Sequence, residues 1–344
     1  MSLSSGEIEV ELGAPDAAKQ LADLDQEPAE KAIQGRSLGQ IARRRLGRDR
    51  VALTAAAFIV FLTAVAILAK PLTSWFGQKP NTIHNAPPND LLDPSTQMPM
   101  GRWGGSNSKH WFGVTPQLGQ DVLAQLIYGA RTSLIIGILA TLLSIILGVA
   151  AGLTAGYYRG AADSVLSRTM DMLLSFPTLL FSLALLSIFQ DVPSFLGLSG
   201  TPLRFAVIVF VLGFFSFPYI GRIVRGQVLS LREKEFVEAA RSLGASNYRI
   251  MTREIMPNLV GPILVYSTLA IPNNILGEAG LSYLGVGVPV GTPSWGHMLS
   301  DAGQYFEIDP TYLFIPGLTL FLTVLAFNLL GDGLRDALDP RSGR

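Results

Sequence analysis

Six apolar runs, at residues 51–69, 131–156, 172–189, 204–221, 259–279 and 313–331, constrain this chain more than any other feature. The first, Val51–Ala69, carries no charged residue. At ~1.5 Å per helical residue it is ~28 Å long, enough to cross the hydrocarbon core of a bilayer. It starts fifty residues in and is long for a signal sequence, so it reads as an uncleaved first span. Basic residues sort by side. Arg36, Arg43, Arg44, Arg45, Arg48 and Arg50 precede the first run. Arg159 and Arg168 follow the second, seven Lys/Arg lie between the fourth and fifth, and Arg335, Arg341 and Arg344 follow the sixth. The alternate segments hold only Lys70, Lys79, Arg102 and Lys109. This asymmetry predicts six transmembrane helices with both termini cytoplasmic. The 49% hydrophobic and 15% charged composition, with mean hydropathy +0.38, agrees with an all-α polytopic membrane protein.

The expected organisation is a disordered acidic tail over 1–35, a basic segment and first span over 36–69, and an extracytoplasmic segment over 70–130. A membrane core over 131–335 and a short cytoplasmic tail over 336–344 complete it. The tail is low in apolar periodicity. The 70–130 segment is rich in turn prolines, and its Trp75, Trp103, Trp111 and Phe112 read as interfacial anchors. Gly148, Gly152 and Gly156, four apart in the second run, predict close approach of another helix, without naming which. The third run opens at Ser175-Phe176-Pro177, and 280–312 reads as an outer loop whose acids include Asp301, Glu307 and Asp309. Pro272-Asn273-Asn274 in the fifth run reads either as a helix break facing protein or a water-filled path, or as polar residues hydrogen-bonding between helices with no transport role. Asn273 and Asn274, with Ser175, are the candidate path residues.

Several function classes are excluded or disfavoured. Zero net charge offers no basic field for nucleic acid, and the absence of cysteine removes disulfides and thiolate metal sites. His84, His110 and His297 form no HExxH pair, and no phosphate-binding GxxxxGK[ST] loop occurs, so no nucleotide-hydrolysing motif is present. Ser282 is not in a GxSxG elbow, which argues against an intramembrane hydrolase. A channel that needs no ATPase is a rival that the polar residues of the fifth run permit.

The polar loop 222–257 carries the most specific pattern. On a helical wheel Phe236, Ala239, Ala240 and Leu243 share one face, and Lys234, Glu238, Arg241 and Ser242 the other. Gly244 is placed to end that helix at positive φ, Ser246 or Asn247 to cap a second, and Pro257 to mark return to the bilayer. Such a helix suits docking in another protein's groove or lying on lipid headgroups.

Glu238-Ala239-Ala240, then Gly244, then Pro257 thirteen residues later, resembles the EAA motif of binding-protein-dependent ABC transporter permeases. The usual Ile three before and Leu one before that Pro are replaced by Glu254 and Met256. Leu118-Gly119-Gln120-Asp121-Val122-Leu123 and Tyr128-Gly129-Ala130-Arg131-Thr132-Ser133-Leu134 are similar to the oligopeptide/dipeptide/nickel branch, although Gln120 stands where many members carry Arg. Met170-Asp171 with Ser175-Phe176-Pro177 is similar to that family's third-span entry, and Glu278 to Gly287 followed by Pro293-Ser294-Trp295-Gly296 looks like its C-type subunit. The resemblance implies a type I importer permease fold without catalysis or a bound cofactor of its own. It implies a homologous B-type permease partner, two ABC ATPases using ATP and Mg, an extracytoplasmic solute-binding protein, and surrounding lipid. It further implies that Phe236, Glu238, Ala239, Ala240, Arg241, Leu243, Gly244 and Pro257 form the ATPase-coupling site. Peptides are the expected solute, with nickel or another small solute as the alternative.

Overall fold

The structure, a computed structural model, describes residues 44–84, 91–101 and 103–338. The expected acidic tail over 1–35 lies outside the described residues. Most of the described residues are helical, the stretch between Trp75 and Val122 being the main exception. Helix α1 spans Arg50–Ile67, capped by Asp49, whose carboxylate accepts from the Val51 and Ala52 amides. A short α2, Ala69–Trp75, follows. Helix α3, Val122–Tyr158, begins nine residues before the second apolar run because Asp121 caps it. One Asp121 oxygen accepts from the Ala124 amide at 2.7 Å and the other pairs with His110 at 2.8 Å, both groups buried.

The expected short inside loop after α3 is instead helix α4, Gly160–Ser175, followed by α5, Thr178–Gln190. The two are bent by 84°. Pro177 causes the break: it has no amide hydrogen and forces Phe176 into an extended conformation, φ −76° and ψ 140°. The third span predicted over 172–189 therefore shortens to α5. Arg225 holds Asp163 (Nη2 to Oδ2, 2.8 Å) and Arg222 pairs with Asp171, tying α4 to the next long helix.

A hairpin of β1, Ser194–Phe195, and β2, Leu198–Ser199, leads into α6, Gly200–Leu231. Helix α6 runs ten residues past the expected end of the fourth span, so the loop expected over 222–257 is helical at its start. Next come α7, Glu235–Ser242, a one-turn α8, Asn247–Arg249, a π-helical turn over Ile250–Ile255, and α9, Met256–Tyr283. The break expected at Pro272 is absent and α9 runs through it. Pro272 is buried, and its neighbours hold the helix: Asn273 donates to the Leu269 carbonyl (3.0 Å) and Asn274 to the Thr141 hydroxyl (2.9 Å). The outer 280–312 segment contains α10, Trp295–Ala302, with Trp295 fully buried and Ser294 capping. Helix α11, Pro310–Leu338, closes the described chain.

Five of these helices are long and apolar enough to cross a membrane, and the bent α4–α5 pair supplies a sixth crossing if taken as one. The central seam joins α3 to α6. Gly152 faces the backbone of α6 so closely that a β-carbon there would lie 2.4 Å from the Gly221 carbonyl oxygen, and one at Gly148 would lie 2.9 Å from that of Phe217. The glycine ladder thus has α6 as its partner. Helices α1, α9, α10 and α11 pack with α3 around Leu134, Ile275 and Trp295.

Candidate functional site

The segment after α6 builds a bracket. Val237 on α7, Ile250 and Ile255 in the π turn, and Leu259 on α9 are buried together with Val149, Leu153 and Tyr157 of α3 and Val224 and Val228 of α6. Each such aliphatic burial contributes about 1.5–3 kcal/mol. The π turn matters here because it carries both Ile250 and Ile255 inward. Polar contacts add to the weld. Tyr157 donates its hydroxyl to Asn247 Oδ1 at 2.8 Å, and Arg232 reaches the Tyr157 carbonyl.

The outward side of the bracket sets large apolar side chains among charged ones. Leu243 is 88% exposed, Tyr248 74% and Phe236 40%. Ala239, Glu238 and Arg241 are exposed beside them. Gly244 takes φ +78° and turns the chain between α7 and α8, with open space where a β-carbon would be. The constraint at Gly244 is therefore one of backbone conformation, not room. Ser246 caps α8 by accepting from the Arg249 amide, and Pro257 sits in the first turn of α9. Ala240 differs from its expected companions: it is half-buried against the bracket's own core. The wheel joined it to Phe236, Ala239 and Leu243, but Val237, which the wheel left out, is the inward residue.

Two of the three candidate path residues come together: Asn273 and Asn274 both border a cavity of about 190 Å³, which Ser175 does not reach. Ser175 is exposed at the α4–α5 bend, donating to the Asp171 carbonyl. Asn274 is 3% exposed, accepts from the Ser216 hydroxyl at 3.0 Å and donates to Thr141, so it joins three helices at the cavity's edge. Asn273 is exposed and lies on the wall of two cavities, about 190 and 380 Å³, between α5, α6, α9 and α11. Ser216, Tyr219, Tyr266 and Asn328 line them too. Sequence reasoning missed these four, although each is a polar side chain in or beside an apolar run. Among the outer acids, Asp309 is buried and accepts from Thr311, while burial pushes the Asp301 carboxyl up, partly offset by His297.

Residues 144–344 match the family model described as binding-protein-dependent transport system inner membrane component. The chain belongs to that family. Residues 37–88 also match the N-terminal transmembrane domain of oligopeptide transport permease C. Among curated relatives, the dipeptide transport system permease protein of Alkalihalophilus pseudofirmus is 37% identical over 300 residues, 87% of this chain and 89% of that protein. The glutathione transport system permease protein of Pectobacterium atrosepticum is 38% identical over 298 residues, with the same coverage of each. A chain of an inward-facing methionine ABC transporter, MetNI, superposes with a TM-score of 0.50 at 18% identity, covering 63% of this chain and 97% of that one, which bears on fold alone. This permease is thus a non-catalytic inner-membrane subunit of an ABC importer of the type I fold. Its family works with ATPase and binding-protein partners, and ATP hydrolysis belongs to the separate ATPase subunits.

Proposed function

We propose that this permease imports short peptides and is driven through the 235–249 bracket. Leu243, Phe236 and Ala239 enter a groove on an ATPase subunit, Glu238 and Arg241 meet its rim, and Gly244 and Pro257 set the bracket's shape. One observation carries this reading: a large apolar side chain, Leu243, stands 88% exposed on a polar loop whose other side is welded to α3 and α6. An exposed anchor on a rigid mount is what a docking partner requires. A push on α7 then reaches the membrane helices without a flexible link. ATP and Mg act on the partner ATPases, which close on ATP binding and shift the bundle between two states of different partner affinity. A homologous B-type permease completes the path. The solute assignment is supported by relatives named for dipeptide and glutathione transport.

The test uses Leu243→Glu, which changes an exposed residue; Ala240 is unsuitable because an arginine there would also disturb the bracket's own packing. Leu243→Glu is expected to insert normally, to lose co-purification with the ATPases, and to cut labelled-dipeptide uptake by about tenfold or more, the loss of one interface anchor. Wild-type uptake with retained ATPase would refute the coupling role. Uptake of radioactive nickel in place of dipeptide by the wild type would keep the architecture and replace the solute.

A further inference from the structure

We infer that the cavity between α6, α9 and α11 is a solute subsite that reads the peptide link itself and no charge. It rests on the peptide reading above and specifies what this chain recognises. The cavity, about 380 Å³, is lined by Ser216, Tyr219, Ile220, Tyr266, Leu269, Ala270, Asn273 and Asn328. Ser216 and Asn273 continue it into the second cavity, about 190 Å³, along α5.

Three observations converge. The first is hydrogen-bonding capacity left open. The hydroxyls of Tyr219 and Tyr266 and the side-chain amide of Asn328 have no hydrogen-bond partner among the described residues. They stand on three different membrane-crossing helices, Tyr266 well inside its apolar run and Tyr219 and Asn328 near the inner ends of theirs. Unpaired polar groups facing lipid there are costly, so the face they share meets water, solute or protein. The second is charge. Neither cavity has a single Lys, Arg, Asp or Glu in its lining. An ionised peptide terminus brought against this wall would lose water and gain no counter-charge, which disfavours it. A peptide link would lose nothing comparable. An asparagine amide offers both a donor and an acceptor, the complement of a backbone N–H and C=O, and tyrosine hydroxyls can do either. The third is shape. The Tyr219 and Tyr266 rings meet edge to face, 6.4 Å apart at 81°, and present an apolar rim with polar tips to whatever lies between α6 and α9. The wall accordingly accepts any sequence of residues and leaves side-chain discrimination elsewhere.

The measurement uses the full complex in nanodiscs, with radiolabelled trialanine as the probe. Benzoylphenylalanine placed at position 266 is expected to capture trialanine, and N-acetyl-trialanine amide, which carries no charge, is expected to compete as well as the free peptide. In uptake assays Asn328→Leu is expected to import trialanine about tenfold more slowly, the equivalent of one lost hydrogen bond of about 1.4 kcal/mol, and Asn328→Gln to recover most of the rate. Co-elution of all subunits on size exclusion separates lost recognition from lost assembly. Capture of the partner permease alone, competition by the charged peptide only, or wild-type uptake by Asn328→Leu would each overturn the subsite. If the wild-type complex itself imports no trialanine while the ATPases remain attached, the peptide reading fails first and the subsite falls with it.

Discussion

Glu278 carries a carboxyl group into the outer part of α9 and leaves none of it exposed. Ser133 of α3 donates to one oxygen and Ser282 to the other, both at 2.7 Å, and the Ser282 hydroxyl in turn accepts from the Val288 amide. One side chain therefore joins two spans and the segment leading to α10. Removing it leaves two buried hydroxyls without their acceptor. Glu278→Ala is expected to destabilise the solubilised protein by about 2 kcal/mol or more, and Glu278→Gln, which keeps an acceptor, by less; thermal unfolding in detergent measures both. An acid inside the last stretch of the fifth apolar run was visible in the sequence. Its partners were not, because Ser133 is 145 residues away. The same distance effect explains Asn274. Composition marked it as polar at membrane depth, but only packing reveals that Ser216 and Thr141 hold it buried while Asn273, one position before it, is exposed and bonds only within its own helix.

At the scale of elements, the apolar runs located every membrane-crossing helix, read most of α4 as a loop and misjudged several ends. Hydropathy stops where charge begins, yet α6 continues for ten residues beyond the apolar run, since Arg222 and Arg225 find Asp171 and Asp163 on α4. Pro177 and Pro272 look alike in the sequence and act differently. The first breaks a helix and the second does not, because Pro272 is buried within a continuous hydrogen-bonded stretch and Phe176 is exposed. The α7–Gly244–α8 layout was readable from local rules of capping and positive φ. The inward Val237 was not, since an eight-residue helix with mixed polarity gives a wheel little to decide on. The glycine ladder of α3 was readable as a packing device, and the structure supplies its partner. Gly152→Leu should separate α3 from α6, because any β-carbon there meets the Gly221 carbonyl. A drop in membrane-inserted yield is expected for it. Gly226→Leu, at a position with open space, should leave yield near wild type by quantitative immunoblot.

For the molecule as a whole, the asymmetry of Lys and Arg predicts that the bracket and the Ser108 segment lie on opposite sides of the membrane. The chain contains no cysteine, so single replacements report cleanly. Ser242→Cys should react with a membrane-impermeant maleimide only from the cytoplasmic side, and Ser108→Cys only from the outside; both sites are exposed. Labelling of both from one side would overturn the topology. Helix α5 has a last consequence. Thirteen residues reach ~20 Å in any orientation, against a hydrocarbon core of ~30 Å. Helix α4 leaves it at 84° and adds almost nothing along its axis. Thr178, Leu179 and Ser182 of this short helix border the smaller of the two cavities. Electrical and chemical insulation is therefore thinnest beside that cavity, and sealing the membrane there falls to lipid that deforms to meet the short helix.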